Sequence, residues 1–436
     1  MADKVASYPT HNPKCETCFI VSRLRRPRQN CTDINVGFGK TLCFVINAMV
    51  LDSVSITLVI SPLLSLMDSQ MEGISRGEYS FVFASPESVL KPKWRTVFMN
   101  DVWQKRLTCI VFDEAHCISE WGEDFRPDYK DMAQLRSFFK VPVLALTATS
   151  TVEVKNDIMS VLQLSESDTD VIARSANRQN IFIECQKRKK PEYEEELRWL
   201  IHYLKEHGKN SKKIIIYCRS IDTVSEIFIT FKEALGLHAY IDKIQKSSNL
   251  IVEMYHKCTH DSSKRRIINE FSKSTSSIRC LVATVALGMG LDIKDIDMII
   301  HIGCPKSVIS YWQEAGRCAR DGRQGLSLIL YDNFTASLKS TNKDMSEIVK
   351  SSEIKCLRQM IINHFTVSGK EDISHHVCSG CKSSPCKCDS CRCCSFCSRK
   401  CPCTEKDVMF AGIFLYQQDK SNDIGVGKSS ISLQGE

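Results

Sequence analysis

Short unbroken apolar runs recur along the first half of the chain, and each ends in small or polar residues. Four of them are SITLVISP, EYSFVFASPE, CIVFDEAH and VPVLALTATS. Runs of this length suit strands that are buried on both faces of a parallel sheet. The intervening segments, such as KDMAQLRSFF and STVEVKNDIMSVLQL, have helical spacing. Alternating strands and helices predict a doubly wound α/β domain with ligands at the carboxyl ends of its strands.

A second series of the same kind follows a charged hinge that contains KRKK at residues 187–190. Its strands are predicted at KIIIYCRS, IVEMYHK, IRCLVATVALGMGLD, IDMIIHIGCP and GLSLILYD. The pattern then becomes helical and ends in a cysteine-rich stretch and a polar tail. We therefore predict a polar segment at 1–30, α/β domains at 31–185 and 186–340, a helical cysteine-rich module at 341–405 and a disordered tail at 406–436.

Charge and hydropathy limit the class of protein. The 436 residues carry 58 basic and 51 acidic side chains, a formal charge of +7, which tolerates a polyanionic partner without proving one. The apolar stretch LCFVINAMVL is far shorter than the ~20 residues that a membrane helix needs. The polar start MADKVASYPT does not resemble a secretory signal. We expect a soluble intracellular protein with no membrane partner.

Cysteine is unusually abundant. Of 23 cysteines, ten lie between Cys378 and Cys403, whereas others, such as Cys109, stand inside apolar runs. A secreted disulfide protein would spread its cysteines through a short chain, and a buried reduced thiol acts as a small hydrophobe. A dense group at one end of a long chain indicates metal ligation instead.

A glycine-rich segment, INVGFGKTLCF, precedes an apolar stretch with helical spacing. Gly37 and Gly39 would let backbone N–H groups close on phosphate oxygens, Lys40 would neutralise the β and γ phosphates, and Thr41 would ligate Mg²⁺. The alternative is a simple glycine turn before a helix.

Two acids follow the predicted strand in VFDEAH. Asp113 could hold a metal ion, and Glu114 could orient and deprotonate an attacking water, which is what phosphoryl transfer requires. The alternative is a pair of helix-capping acids. The rings of Trp121, Phe125 and Tyr129 follow, and they could stack on the bases of a single strand or plug the underside of a loop.

The stretch DEAHCISEWGEDFRPDY resembles the metal-binding motif and aromatic-rich loop of RecQ-family DNA helicases, in helicase superfamily 2. The resemblance continues in the family's order through ISPLLSLMDSQ, FASPE, ALTATS, IIIYCRS, MYHKCTH, VATVALGMGLDIKDID and SYWQEAGRCARDGRQG, over about residues 20–400. It implies two RecA-like domains followed by a small helical zinc module. It also implies an ATP-dependent 3′–5′ helicase of the nucleus that uses ATP, Mg²⁺ and Zn²⁺ and acts on single-stranded and duplex DNA in repair, recombination or replication.

The resemblance assigns roles position by position. The nucleotide loop corresponds to the glycines, lysine and threonine of GFGKT, the Mg²⁺ and water residues to Asp113 and Glu114, and an adenine-recognising position to Gln29. Gln313 and the arginines Arg317 and Arg320 would complete the site from the second domain, with Asp292 near the nucleotide. The alternative for the arginines is a helical basic face that pairs with acids such as Asp321. The positions that would couple the site to DNA are His116, Trp121, Phe125, Arg126, Tyr129, Thr147 and Thr149.

The zinc module of the family takes one cysteine from a helix and the others from a later cluster. The resemblance therefore implies Cys356, Cys378 and Cys381 as ligands, with Cys388 as the fourth and Cys386 and Cys391 as alternatives. Ten cysteines exceed the needs of one ion, so a second zinc site or an unrelated insertion stays open.

The amino-terminal region departs from the family pattern. Gln29 lies only eleven residues before Lys40 (40 − 29), about half the family's separation, so a helix and the strand before the phosphate loop are expected to be missing. Thr32 and Asp33 also stand where buried apolar residues belong. Two alternatives therefore accompany the helicase hypothesis: a catalytically compromised relative that only binds DNA, and an RNA-directed helicase of the same superfamily.

Overall fold

Two compact units make up the protein in this computed structural model. One comprises 1–177 with 361–372, and the other 178–360 with 373–436, so the division falls at Asn177 and Arg178 rather than at the predicted 185/186. The residues that the structure describes are 29–33, 54–62, 71–120, 127–147, 150–173, 175–188, 192–287, 293, 295–365, 373 and 388–403.

The first unit contains a six-stranded sheet in which every pairing is parallel. The strand order is β3-β2-β4-β5-β1-β6. Side chains of three of these strands form an apolar core cluster: Val59, Cys109, Val111, Leu144 and Leu146. The strands are β1 Gln29–Asp33, β2 Ile56–Ile60, β3 Phe81–Ala84, β4 Leu107–Phe112, β5 Val143–Thr147 and β6 Thr169–Ala173.

Strand β1 corrects one prediction. The strand that was expected to be missing is present, and its backbone pairs with β5 on one side and β6 on the other. Gln29, expected in an adenine-recognising position, is its first residue, and Asp33 lies in register with Thr147. Because parallel strands end at a common edge, the chain leaves β1 at the edge where β4 and β5 also end.

The helices of the first unit connect these strands. Thr151 caps the last of them, because its hydroxyl accepts a hydrogen bond from the Val154 N–H at 3.1 Å. The helices are α1 Met71–Arg76, α2 Pro86–Val89, α3 Pro92–Phe98, α4 Asp101–Arg106, α5 Cys117–Glu120, α6 Leu135–Phe138 and α7 Val152–Val161.

The second unit is built on another six-stranded parallel sheet, with the order β7-β12-β11-β8-β10-β9. Its inner strands are buried along their whole length, which explains their unbroken apolar sequences. The strands are β7 Ile181–Lys187, β8 Lys213–Cys218, β9 Val252–Tyr255, β10 Cys280–Ala283, β11 Ile296–Ile302 and β12 Gly325–Tyr331.

Helices on both sides of this sheet and a short helical module complete the second unit. The core clusters on its two faces confirm the predicted doubly wound fold. The helices are α8 Tyr193–Glu196, α9 Arg198–His207, α10 Ile221–Leu235, α11 Asp261–Phe271, α12 Val308–Ala315, α13 Asn333–Ala336, α14 Lys343–Lys350, α15 Leu357–Phe365, α16 Asp389–Cys393 and α17 Ser395–Lys400. Residues 361–365 of α15 are grouped with the first unit.

The cysteine-rich module lies against the edge strand β7. Cys394 forms a parallel bridge with Ile183, and Arg358 donates hydrogen bonds to the carbonyls of Ile181 and Cys393. The module therefore covers backbone groups that an edge strand would otherwise expose. Among the described residues, no helix is both long and apolar enough to cross a membrane.

Candidate active site and cysteine groups

Two carboxylates lie where β4 ends, as the sequence predicts. The Asp113 N–H donates to the Ile60 carbonyl of β2 at 2.8 Å, and the Ala115 N–H donates to the Leu146 carbonyl of β5 at 2.8 Å. Between them Glu114 has a left-handed backbone, with φ of 51°. This conformation costs about 1–3 kcal/mol for a residue other than glycine, and it persists because the hydrogen bonds on either side fix the chain.

A buried histidine connects Glu114 to the end of β5. His116 is 6% exposed, and its Nδ1 lies 3.1 Å from the Thr147 hydroxyl and 3.4 Å from a Glu114 carboxylate oxygen. The Glu114 side chain is 31% exposed, so it combines an anchored side with an accessible one. The structure therefore brings together three predicted site residues through one imidazole.

The structure does not describe the side chains of several other residues that were predicted to belong to the site. Tyr129 lies in the 3₁₀ segment Pro127–Gln134, and the placement of its side chain, like that of Gln29, is not described. The predictions that fall outside the described residues concern Gly37, Gly39, Lys40, Thr41, Trp121, Phe125, Arg126, Thr149, Asp292, Cys378, Cys381 and Cys386.

The predicted arginines follow helix α12 rather than lying on it. The helix begins with a Ser307 capping box and ends at Ala315, with Gln313 half-buried on its last turn. Turns then carry Arg317 and Arg320, and Ala319 has a φ of 47°. The alternative of two arginines on one helical face is therefore wrong, because the left-handed residue between them interrupts helical geometry. Asp321, named as their partner, pairs with Arg323 at 2.6 Å.

Two residues before β7 hold this arginine segment by its carbonyls, and sequence reasoning missed both. Arg178 donates to the carbonyls of Gly316, Cys318 and Ala319 at 2.9, 3.0 and 3.1 Å. Asn180 donates to the Ala319 carbonyl at 3.0 Å. The available signal was a polar NRQN run directly before a strand. We call this set of contacts the carbonyl clamp.

Buried polar groups lie beneath the arginine segment. His301 of β11 contacts Glu314 at 2.8 Å, and it stacks on Tyr217 of β8 with ring centroids 5.5 Å apart. Burial raises the pKa of Tyr217 to about 12, and the positive charges of Arg317 and Arg320 oppose that rise. The phenol and the two guanidinium groups are therefore electrostatic neighbours within the second unit.

The described cysteines of the module form two groups of four, each with its sulfurs within 4.8 Å of one another. The inner group contains Cys356, Cys393, Cys394 and Cys397. The outer group contains Cys388, Cys391, Cys401 and Cys403. Four thiolates are a donor set that suits a soft tetrahedral ion such as Zn²⁺. Either group could hold one.

The grouping differs from the ligand set that the resemblance implied. Cys356 and Cys388 were expected to share an ion, but the structure places them in separate groups. Cys391, an alternative fourth ligand, also lies apart from Cys356. The inner group instead takes three cysteines from CCSFC, which the sequence analysis left unassigned.

Two helicase family models match the chain in order. The DEAD/DEAH box helicase model matches residues 68–158, and the helicase conserved C-terminal domain matches residues 194–322. The first match begins after the Gly37–Thr41 segment. These domains define a protein with the two conserved halves of a helicase.

Curated relatives narrow the class. The chain is 33% identical over 361 residues to the ATP-dependent DNA helicase hus2/rqh1 of Schizosaccharomyces pombe, covering 74% of this chain and 25% of that protein. It is 30% identical over 386 residues to the ATP-dependent DNA helicase Q1 of Mus musculus, covering 79% of this chain and 56% of that protein. Over most of its length the chain is therefore similar to RecQ-family DNA helicases. It spans about a quarter and just over half of the length of these two relatives.

Solved structures agree on the fold. The DEAD-box helicase Mss116 bound to single-stranded RNA and UDP-BeF superposes with a TM-score of 0.58, at 16% identity, over 74% of this chain and 70% of that one. At this identity the likeness shows the two-domain helicase fold alone.

Proposed function

We propose that this chain is an ATP-dependent DNA helicase that couples ATP hydrolysis to 3′–5′ movement along single-stranded DNA and to duplex unwinding. The observation that carries the proposal is the arrangement of Asp113 and Glu114 at the end of β4, with His116 joining Glu114 to Thr147. The similarity to RecQ-family helicases supports DNA as the substrate class, because the two curated relatives above are named as DNA helicases.

The two acids divide the work of phosphoryl transfer. Asp113 would hold Mg²⁺, which neutralises charge on the phosphates when it is bound. Glu114 would orient the attacking water and accept its proton, and its accessible carboxylate suits that role. Lys40 and Thr41 would hold the phosphates and the metal, and the position of β1 supports this, since β1 ends four residues before Gly37 at the edge that carries Asp113.

The arginine segment would supply positive charge to the departing phosphate during hydrolysis. Arg317 is buried at 9% exposure, and its turn is held by the carbonyl clamp, so its backbone is fixed before any nucleotide arrives. Positive charge that is already in place costs no reorganisation in the transition state. Arg320 and Gln313 would assist it, and Asp292 would lie near the nucleotide.

His116 and Thr147 would make the rate of ATP hydrolysis depend on bound DNA. Thr147 ends the strand that leads into the TATS segment, which we propose contacts the DNA backbone through Thr149 and its neighbours. Stacking of bases on Trp121, Phe125 and Tyr129 would contribute about 1–3 kcal/mol for each base, and Arg126 would contact phosphate. The inner cysteine group would bind the family's structural Zn²⁺. The cell compartment that we propose for this activity is the nucleus.

The test is steady-state ATP hydrolysis with and without single-stranded DNA, for the unaltered chain and for Glu114→Gln. We expect DNA to stimulate the unaltered chain and Glu114→Gln to lower the stimulated rate at least ~100-fold, because the amide cannot accept a proton. Glu166→Gln, at an exposed position of the same unit, is the matched control and should keep the full rate.

Two outcomes would contradict the proposal. Equal and negligible rates for the unaltered chain and Glu114→Gln, together with retained DNA binding, would leave the catalytically compromised relative as the better description. Stimulation by single-stranded RNA that exceeds stimulation by DNA would favour the RNA-directed helicase.

A further inference from the structure

The outer cysteine group is a site that the helicase mechanism does not use. We propose that Cys388, Cys391, Cys401 and Cys403 bind a second Zn²⁺ ion, separate from the ion of the inner group, so that the module carries two tetrathiolate sites. This inference does not rest on the proposed ATP hydrolysis. It concerns the number of metal ions and their ligands, both of which can be measured without nucleotide or DNA.

The sulfur positions suit one tetrahedral ion. The Cys401 Sγ lies 3.4 Å from the Cys388 Sγ and 3.4 Å from the Cys403 Sγ, and all four sulfurs lie within 4.8 Å of one another. Four thiolates at the usual Zn–S distance of about 2.3 Å have their sulfurs roughly 3.8 Å apart. Closure onto an ion therefore changes any sulfur–sulfur distance by no more than about 1 Å.

Neither disulfides nor an iron–sulfur cluster fits these positions as well. A disulfide joins its sulfurs at about 2.05 Å, whereas the Cys401 Sγ lies 3.4 Å from the sulfurs of Cys388 and Cys403. A cluster of four irons would have to stand between the thiolates and would hold their sulfurs farther apart than a single ion does. The measured separations favour a mononuclear site.

Backbone N–H groups donate hydrogen bonds to a cysteine sulfur in each group. The Cys391 N–H donates to the Cys388 Sγ at 3.3 Å, in the same way as the Gln359 N–H donates to the Cys356 Sγ at 3.4 Å in the inner group. Hydrogen bonds to sulfur stabilise the negative charge that four thiolates leave on a Zn²⁺ complex. Cys391, Cys401 and Cys403 are buried, at 4%, 7% and 6% exposure, which excludes competing water.

The two sites are interleaved along the chain. Three inner ligands, at 393, 394 and 397, lie between the outer pairs at 388/391 and 401/403. An ion in the outer site would close the chain into a ring around these inner ligands. The same ring lies on β7, where Cys394 bridges Ile183 and Arg358 holds the Cys393 carbonyl at 3.0 Å. The outer ion would therefore fix α16 and α17 on the edge of the second sheet.

The experiment counts metal ions on the full-length chain by native mass spectrometry and elemental analysis, after purification under reducing conditions. We expect two Zn²⁺ for each chain and one for Cys401→Ser/Cys403→Ser. Cys258→Ser, an exposed cysteine outside both groups, is the matched control and should keep two. A triple serine variant at Cys378, Cys381 and Cys386 should also keep two, because the proposed ligands are elsewhere.

A second measurement tests the proposal even if Cys401→Ser/Cys403→Ser does not fold. Cobalt substituted into the unaltered chain should give the absorption of tetrahedral tetrathiolate Co²⁺ at two equivalents, and the triple serine variant should give the same. One zinc for each chain, two zincs retained in Cys401→Ser/Cys403→Ser, loss of an ion in the triple variant, or an iron–sulfur chromophore would each overturn the proposal. None of these results depends on whether the chain hydrolyses ATP.

Discussion

The carbonyl clamp yields the sharpest prediction about the arginine segment. Arg178 donates to three carbonyls in the turn that carries Arg317, and Arg358 in turn donates to the Arg178 carbonyl at 2.8 Å. Arg178→Lys keeps the positive charge but removes the planar fork that reaches several acceptors at once. It therefore tests geometry rather than charge.

The magnitude follows from the bonds that are lost. A lysine could keep one of the three contacts, and each hydrogen bond that involves a charged group contributes about 1.5–3 kcal/mol. Water can replace part of the loss because Arg178 is only partly buried, so we expect a decrease in the free energy of unfolding of about 2 kcal/mol. For a unit of this size that corresponds to a fall in Tm of roughly 4–8 °C. A misplacement of the arginines by ~1 Å would lower kcat for ATP about 100-fold.

The assay combines thermal unfolding with ATP hydrolysis over a range of ATP and DNA concentrations. Arg198→Lys is the matched control, since Arg198 is an exposed arginine of the same unit with a single surface ion pair. At 25 °C the variant remains folded, so its lower stability alone would not reduce kcat. We therefore expect the measured kcat to fall well below that of the unaltered chain. A variant with unchanged Tm and unchanged kcat would show that the carbonyl clamp does not position the arginines.

Two further predictions concern buried polar groups. Thr147→Val removes the hydroxyl that lies beside His116. It should lower the DNA stimulation of ATP hydrolysis, and it should lower the free energy of unfolding by about 1–3 kcal/mol. Thr108→Val loses a hydroxyl bond to the Ile56 carbonyl in the same sheet and, as the control, should lower stability alone. Burial raises the pKa of Glu196 to about 7 in spite of Arg188, 2.7 Å away. The folded protein thus holds this proton more tightly than the unfolded chain, so its stabilising contribution is complete below pH ~4.5 and is lost as pH rises through about 7. Glu196→Gln should flatten the fall in Tm between pH 5 and 8, and an unchanged slope would contradict this assignment.

The strands that end in the site could be predicted because a strand that is buried on both faces has an unbroken apolar run in its sequence. The run before Asp113 is such a case, and so are the inner strands of the second sheet. Strand β1 could not be predicted in this way, since QNCTD has none of the apolar continuity that central strands show. Its place in the sheet depends on pairing with residues more than a hundred positions away. Four of its five residues are polar, and such a departure from local rules is expected beside a functional site.

The cysteine groups show a different limit. The density of cysteines predicted a metal-binding module, and the structure has two groups that could each hold an ion. The partition of the cysteines into these groups could not be predicted, because ligand connectivity is set by the folded backbone rather than by spacing. The carbonyl clamp could not be predicted for a related reason. Arg178 donates to main-chain carbonyls about 140 residues away, and because every residue has a carbonyl, the sequence does not indicate which ones accept these bonds.

Duplex unwinding distinguishes a helicase from a protein that only binds DNA or only hydrolyses ATP. The substrate is a short DNA duplex with a single-stranded tail on either the 3′ or the 5′ side, incubated with the chain and either ATP or a non-hydrolysable analogue. We expect strand separation of the 3′-tailed duplex with ATP but not with the analogue, and its loss in Glu114→Gln. Separation that proceeds equally with the analogue, or that occurs on neither substrate while ATP is being hydrolysed, would contradict the coupling of hydrolysis to movement along DNA.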